Sequence, residues 1–193
     1  LMTDSVTPAY FSENQVRVAQ LLAQQMAIAL ENARLYQVAL QAADRRVILH
    51  RVSQDMVTAI REPEQTYVSI HQATRQLMPC DSFAIALHNE ITNENMIVYA
   101  LEGDKRFPVQ HVPAGRGLTG KVLASGESII IDDLMADTTD VIRMGEPKPV
   151  RSLVAVPLRL GQKTTGMISA QSYKIRAFGQ EEQALLEMLA SYA

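Results

Sequence analysis

The chain has 193 residues, enough for one domain with a complete apolar core and an additional segment. Its apolar share of 47% is typical of a folded globular protein, and its formal net charge of −3 argues against nucleic acid as a partner. Cys80, the single cysteine, excludes an intrachain disulfide, and no run approaches the ~20 apolar residues of a membrane-spanning helix, so we expect a cytoplasmic protein.

Residues 12–62 contain neither glycine nor proline, and apolar residues recur there at alternating spacings of three and four. This heptad pattern predicts one long helix, capped by Ser12 and roughly 75 Å long if it is unbroken. One domain cannot cover so long a seam, so we expect the helix to form a homodimer as a parallel coiled coil. The predicted dimer seam consists of Ala19, Leu22, Met26, Ala29, Ala33, Tyr36, Leu40, Ala43 and Val47.

The seam changes phase near its end. After Val47 the apolar stripe shifts to Ile48, Val52, Met56 and Ile60, a discontinuity of the kind called a stutter. A change of register costs little at such a point, so the dimer could switch there between two arrangements. The alternatives are a broken helix that folds back on its own domain and an antiparallel pairing of two copies.

The start of this helix resembles the end of the chain, which indicates an internal repeat. The sequence from Phe11 aligns without gaps with the sequence from Phe178, and Leu22 then matches Leu189. The expected organisation is the last strand and exit helix of a preceding sister domain at 1–36, a coiled-coil linker at 37–62 that runs into the first helix of the domain, and one complete domain at 48–193.

From residue 63 onward the sequence alternates between short β-rich runs and turn residues. We expect helices over 63–78, 117–125 and 178–193, strands over 82–89, 95–103, 107–114, 128–134, 152–160 and 163–173, and an irregular loop over 135–150. Gly161 and Gln162 are predicted to form a hairpin turn, and Gly126 to end the short middle helix. Helices that flank a run of hairpin-linked strands indicate an α+β fold with a largely antiparallel sheet.

The glycine-rich stretch GRGLTGKV at 115–122 matches two phosphate-binding patterns in part. A P-loop requires Ser or Thr after the lysine, and Val122 stands there. A dinucleotide fold requires a long helix that returns to a parallel strand, whereas the helix predicted here ends after about two turns at Gly126. We therefore interpret the glycines as a tight strand-to-helix turn and Lys121 as a solvated side chain.

Three stretches in order, PAGRGLTGKVLASGESIIIDD, RSLVAVPLRLGQKTTGMISAQS and FGQEEQALLEMLA, resemble a GAF domain. A fourth, FSENQVRVAQLLAQQMAIALENARLY, resembles the end of another GAF domain that runs into its signalling helix. The resemblance implies a GAF-like six-stranded antiparallel sheet with helices on both sides, preceded by a long N-terminal signalling helix. The first and last helices of the domain would pack on one face of the sheet, and a small-molecule pocket would lie on the other.

In function, the resemblance implies a non-catalytic sensory module of a tandem GAF region in a bacterial signal-transduction protein, such as a two-component system. The module would bind an unidentified small molecule, relay its state through the dimeric coiled coil, and act on a downstream histidine kinase or cyclase domain. The alternatives are a structural dimerisation spacer with an empty pocket, a cyclic-nucleotide-binding GAF domain, and an enzyme. Phe178, Glu181 and Glu182 resemble the last part of the cyclic-nucleotide signature, and they equally suit the start of an amphipathic helix.

No cofactor, metal or catalytic residue is expected. GAF domains that attach a bilin do so through a cysteine in the pocket segment, and residues 134–151 contain neither cysteine nor histidine. Haem-binding members need a pocket histidine, whereas His88 and His111 fall at strand ends, where we expect exposed side chains. Cys80 alone cannot close the redox cycle of the GAF-type methionine sulfoxide reductases, and we expect a buried structural thiol.

The candidate pocket residues are Phe83, Ile85, Tyr99, Ile131, Asp133, Ile142, Arg143, Met144, Arg151 and Val154. Arg143 and Arg151 bracket the variable loop and could pair with an anionic group of a ligand. Asp132 and Asp133 are neighbours on a predicted strand and so point to opposite faces, which favours a turn cap over a shared metal or acid–base task. In the spacer alternative, the pocket would be filled by Phe83, Tyr99 and Met144.

Overall fold

The structure, a computed structural model, describes residue 4 and residues 10–58, 63–137 and 149–192, with the backbone alone for residues 52–58. The chain divides into two units, Leu1–Val47 and Ile48–Ala193. The described residues of the first unit are almost wholly helical, and the second unit combines helices with a sheet. Along the described ranges, no helix combines the length and the hydrophobicity that crossing a membrane requires.

Helix α1 spans Glu13–Thr58, which confirms the long N-terminal helix predicted from the lack of glycine and proline. Its start is fixed by a reciprocal capping pair. The backbone N–H of Ser12 donates to Oε1 of Gln15 at 2.8 Å, and the N–H of Gln15 donates to Oγ of Ser12 at 3.3 Å. Ile60 and Arg61, which were predicted to belong to this helix, lie outside the described residues.

The second unit contains three further helices and seven strands in the described ranges. The helices are α2 (Pro63–Leu77), α3 (Gly117–Ser125) and α4 (Gln180–Ala190). The strands are β1 (Ser82–Asn89), β2 (Glu94–Glu102), β3 (Lys105–Arg106), β4 (Gln110–Pro113), β5 (Ile129–Ile131), β6 (Ser152–Leu160) and β7 (Lys163–Ser172). These elements confirm the predicted α+β class, and the two-residue β3 adds a seventh strand to the six expected.

All seven strands belong to one sheet in the order β3-β2-β1-β7-β6-β5, with β4 also paired to β2. Every pair is antiparallel. β6 and β7 form the predicted hairpin, with Gly161 at a φ of 62° as the first residue of its turn. The chain passes from β4 to β5 through α3, which ends at Gly126. Because α3 connects antiparallel strands, the glycine-rich stretch forms a turn and not a phosphate-binding crossover.

Strand β5 ends earlier than the sequence predicts because Asp133 begins a turn. The carboxylate of Asp133 accepts the N–H of Met135 at 3.0 Å, and its carbonyl oxygen accepts the N–H groups of Ala136 and Asp137 at 3.1 and 3.0 Å. The strand predicted over 128–134 is therefore reduced to three residues. Asp133 caps the turn, as its position at a strand end predicts.

The sheet carries an apolar core layer on each face, because successive residues of its central strands point to opposite sides. The layer beneath α2 and α4 contains Phe83, Ile85, Tyr99, Val154, Val156 and Ile168 from the strands, and Ile70, Leu186 and Leu189 from the helices. The layer beneath α3 contains Ala84, Ala86, Ile97, Leu153, Ala155 and Met167 from the strands, and Leu118 and Val122 from α3. The alanines of β1 and β6 leave room for α3 to lie close to the sheet.

Aromatic and charged side chains attach α2 to the sheet. His71 of α2 lies against the rings of Phe83 and Tyr99, with centroid distances of 5.1 and 5.9 Å. The guanidinium of Arg106 lies 4.0 Å from the centroid of the Tyr99 ring and forms an ion pair with Glu64 at 3.1 Å. Burial, together with nearby arginine charges, lowers the pKa of His71, so its imidazole is neutral at pH 7.

Gly166 lies where β7 approaches β1 closely. A Cβ at this position would overlap the carbonyl oxygen of Ala86 and press against Leu87. We expect Gly166→Ala to lower the free energy of unfolding by about 2 kcal/mol in urea denaturation, because backbone atoms of β1 would have to move. Gly161→Asn is the control, since its surroundings are open and asparagine tolerates the left-handed conformation. An equal loss of stability in both variants would contradict this packing.

Candidate functional site

An open cleft of about 430 Å³ lies at the end of β5. It is lined by Ile131, Asp132, Asp133, Ala136, Asp137, Ile175 and Arg176. Three parts of the fold supply these residues, namely the end of β5, the turn that follows it, and the segment between β7 and α4. The cleft is large enough for a small molecule, and it combines apolar side chains with acidic and basic ones.

Asp133 and Arg151 form a two-point ion pair beside the cleft. Nε of Arg151 donates to Oδ1 of Asp133 at 3.0 Å, and Nη2 donates to Oδ2 at 2.6 Å. These hydrogen bonds lower the pKa of Asp133 and raise the pKa of Arg151. The carbonyl oxygen of Arg151 also accepts the N–H of Leu134 at 2.6 Å. The pair therefore joins the two ends of the segment between β5 and β6.

Arg176 is the basic side chain most open to the cleft. Its backbone N–H donates to the carbonyl oxygen of Asp132 at 2.9 Å, while its guanidinium forms a longer ion pair with the Asp132 carboxylate at 3.6 Å. The Arg176 side chain is 79% exposed. Its φ of 51° places it in the left-handed region, which costs about 1 kcal/mol for a residue with a Cβ. The sequence carries no signal that would have singled out Arg176.

Of the predicted pocket residues, the structure places Ile131 and Asp133 in the cleft and Arg151 beside Asp133. Four others lie on the opposite face of the sheet, in the layer beneath α2 and α4, with exposures of 3% or less: Phe83, Ile85, Tyr99 and Val154. The strand register explains the division. Ile131 pairs with Leu153, so Val154, the next residue of β6, points to the other face. These four residues build the core and not the wall of the cleft.

The remaining predicted pocket residues, Ile142, Arg143 and Met144, lie outside the described residues. The spacer alternative expected Phe83 and Tyr99 to fill the pocket, but both contribute instead to the layer on the helix face. The two adjacent aspartates have separate arginine partners, since Asp133 pairs with one and Asp132 with another. The two carboxylates are therefore held in separate ion pairs, while both aspartates line the cleft.

Asn95 on β2 is a polar residue that the sequence gives no reason to single out. Its side chain is fully buried, and its Oδ1 lies 2.9 Å from Nδ1 of His88. Its amide nitrogen has no hydrogen-bond partner among the described residues, a state that costs about 1–3 kcal/mol. Contrary to expectation His88 is half-buried, whereas His111 is exposed and lies 3.4 Å from Glu94.

Cys80 is poorly placed for redox or nucleophilic chemistry. Its thiol lies 3.5 Å from the carbonyl oxygen of Ser82, and burial raises its pKa to about 12. The thiol is therefore protonated at neutral pH, whereas the reactive form of a cysteine is the thiolate. In the part of the chain that the structure describes, no group of three or more His, Cys, Asp or Glu side chains is arranged to hold a metal ion.

We expect Asp133→Asn to lower the free energy of unfolding at pH 7, with a deficit that shrinks as the pH falls. Because the folded-state pKa of Asp133 is lowered, its ion pair contributes stability above the unfolded value, about 3.9, and loses that contribution as the pH falls through the folded value. Urea denaturation at pH 7 and below pH 4 measures the difference. Asp132→Asn is the control, since its ion pair is longer and more exposed. A deficit that is independent of pH would contradict the assigned charge pairing.

A sequence profile described as a GAF domain matches residues 60–193 of the chain. Among solved structures, the chain is similar to the GAF domain of a phosphoenolpyruvate-protein phosphotransferase from Acinetobacter. That likeness has 16% identity and a TM-score of 0.62, and it covers 76% of this chain and 88% of that one. The GAF domain of such a phosphotransferase from Coxiella burnetii has 19% identity and a TM-score of 0.62, with coverage of 78% and 90%.

An enzyme shares the same fold. The free methionine-R-sulfoxide reductase from Neisseria meningitidis, solved in complex with its substrate, has 20% identity and a TM-score of 0.58, with coverage of 78% of this chain and 89% of that one. At such identities these likenesses show a shared fold alone. No curated protein sequence matches the chain.

Proposed function

Because the chain belongs to the GAF domain family, we propose that it is a non-catalytic sensory module that relays signals through paired α1 helices. A small molecule bound at the cleft would supply the signal. The receiver would be a downstream output domain of the histidine kinase or cyclase type in the full-length chain. The family assignment supports a regulatory role. The exposed apolar side chains of α1 support a relay through paired helices, and the cleft supports the binding of a small molecule.

The observation that carries this proposal is the row of apolar side chains that α1 exposes. The large members of the predicted seam have these exposed fractions: Leu22 55%, Met26 52%, Tyr36 67%, Leu40 47% and Val47 60%. Ala29, Ala33 and Ala43 are exposed as well. Most of the stability of a protein helix comes from packing of an apolar face and not from its own hydrogen bonds. A second copy of α1 is the partner that this heptad spacing fits.

The last part of α1 connects the proposed dimer to the sheet. Ile48 and Leu49 pack against the core layer beneath α2 and α4. The same strands carry on their opposite face the layer that reaches Ile131 at the cleft. A ligand in the cleft would therefore alter how the sheet packs against Ile48 and Leu49. The stutter near Val47 is the point at which this change would alter the register of the paired helices.

Arg176 is the basic residue of the cleft, which three aspartates also line, and we propose it as the contact for an anionic group of a small ligand. Arg176 is largely exposed, and its ion pair with Asp132 is the kind of surface contact that contributes little. Arg151, by contrast, is already held by two hydrogen bonds to Asp133. An incoming carboxylate or phosphate would therefore engage Arg176. The sequence offered Arg143 and Arg151 for this role. Arg143 lies outside the described residues and Arg151 is engaged with Asp133, so we propose Arg176 instead.

The cyclic-nucleotide and enzyme alternatives have less support. Phe178 is buried in the core, and Glu182 caps α4 by accepting the N–H of Gly179 at 2.8 Å, so both have structural roles. An enzyme of this kind needs an activated nucleophile, and the raised pKa of Cys80 leaves its thiol unreactive. A methionine sulfoxide reductase shares the fold, so the residues of this chain argue against an enzyme whereas its fold does not.

We expect Leu40→Cys, in a Cys80→Ser background, to form a disulfide between two copies in high yield under mild oxidation. In a parallel coiled coil the two side chains at this seam position face each other within disulfide range, whereas those of Gln41 point away. Gln41→Cys is therefore the matched control, and non-reducing electrophoresis measures both yields. Equal cross-linking at the two positions, or a monomer at micromolar concentration, would refute the dimer.

A native mass spectrum of the freshly purified chain separates the ligand-binding form of the proposal from the spacer alternative. We expect a dimer with a reproducible extra mass that is lost in Arg176→Gln, because the exposed guanidinium would hold the anionic group. Arg34→Gln is the control, since Arg34 lies on α1 and pairs only locally with Glu31. A dimer without extra mass would favour the spacer, in which the domain pairs the helices and binds nothing.

A further inference from the structure

His71 is a titratable side chain in the middle of the contact between α2 and the sheet. The residue is 7% exposed, and its ring packs against those of Phe83 on β1 and Tyr99 on β2. Histidine is the side chain whose charge ordinarily changes between pH 5 and pH 8. A histidine that is buried in a packing interface therefore makes that interface depend on pH.

The charged groups around His71 disfavour a proton on its ring. Burial lowers the pKa of His71 most, and the charges of Arg75 on α2 and Arg106 on β3 lower it further. Asp104, in the turn between β2 and β3, acts in the opposite direction. The Asp104 side chain, however, is 96% exposed and is already paired with Arg75 at 3.3 Å. So exposed a carboxylate compensates little of a buried positive charge.

The aromatic neighbours of His71 offer a second cation no better place. An aromatic face attracts a positive charge, but the ring of Tyr99 already holds the guanidinium of Arg106. The Tyr99 hydroxyl lies 3.4 Å from Nδ1 of His71, where a neutral nitrogen can accept its proton and a protonated nitrogen cannot. Glu64, the carboxylate that acts on Tyr99 and on nearby Tyr67, is paired with Arg106. The buried residues of α4, which packs in the same layer, are all apolar.

We propose that His71 is an acid-sensitive switch, which loosens α2 from the sheet when its ring gains a proton. Ile70, the preceding residue of α2, belongs to the same core layer against which Ile48 and Leu49 of α1 pack, so the loosening would act where α1 joins the core. The cleft borders the layer on the opposite face of the sheet, at Ile131. The switch would thus add pH to the signals that reach the domain. It goes beyond the proposed relay and does not require that the α1 helices pair.

Urea denaturation of the 193-residue chain at pH 7.5 and pH 5 tests the switch. Because the folded-state pKa of His71 is lowered, its contribution to stability is complete above the unfolded value, about 6.5, and is lost as the pH falls from that value towards the folded one. His71→Phe keeps a ring without a titrating nitrogen. We expect the unfolding equilibrium constant of the wild type to rise, on acidification, by up to about 30-fold more than that of His71→Phe. His111→Gln is the matched control, since His111 is exposed and its loss should leave the wild-type response unchanged.

Hydrogen exchange measured by mass spectrometry shows which element loosens. After correction for the intrinsic effect of pH on exchange, we expect the amides of α2 to lose protection on the order of 10-fold between pH 7.5 and pH 5, and to retain it in His71→Phe. At pH 5 the amides of α2 should be less protected than those of the central strand β7. Equal protection of α2 and β7 would mean that the whole domain opens at once, which would contradict a switch at α2.

Two further results would overturn the inference. The first is an NMR titration in which the His71 ring, assigned by its absence from the spectrum of His71→Phe, gains its proton at the same pH as the exposed ring of His111. The second is an equal response of the wild type and His71→Phe to pH in urea denaturation. If His71→Phe does not fold, His71→Gln serves the same comparison, since its amide is uncharged at both pH values.

Discussion

The fold depends on the burial of both faces of its central strands. In β1 the four residues from Phe83 to Ala86 are all buried, although antiparallel sheets commonly leave one face to solvent. Such a sheet requires cover on two sides, and the chain supplies α2 and α4 for one side and α3 for the other. Large side chains fill the first layer, and in the second the alanines of β1 and β6 let α3 lie close to the sheet. With both faces filled at the centre, the cleft lies at the sheet edge, where β5 ends.

The elements that the sequence predicted well are those with local signals. The lack of glycine and proline defines α1, Gly126 ends α3, and Gly161 makes the β6–β7 turn, because each signal acts within a few residues. The cleft could not be predicted in this way. Whether Val154 or Leu153 faces the α3 side depends on pairing with β5, and that register is a property of the assembled sheet. The significance of Arg176 and Asn95 comes from contacts with residues outside their own strand or loop. The sequence of a single strand or loop does not show those contacts.

The heptad pattern of α1 has a related ambiguity. A helix that covers a sheet and a helix that pairs with a helix both present apolar residues at spacings of three and four. The spacing therefore predicts an apolar stripe that contains Leu22, but it does not show whether a sheet or a second helix covers that stripe. Helix α4 is an example of the first arrangement, since its apolar stripe lies against the sheet.

The Asp133–Arg151 ion pair has a consequence for how such a domain can vary. It ties together the two ends of the segment between β5 and β6, and Leu134 adds a backbone bond to Arg151. Once the ends of a loop are fixed, doubling its length costs only about 0.6 kcal/mol of closure entropy. Insertions, deletions and substitutions between the two residues should therefore leave the sheet intact. The ion pair thus separates the sequence of this segment from the stability of the sheet, so that the segment can change while the fold persists.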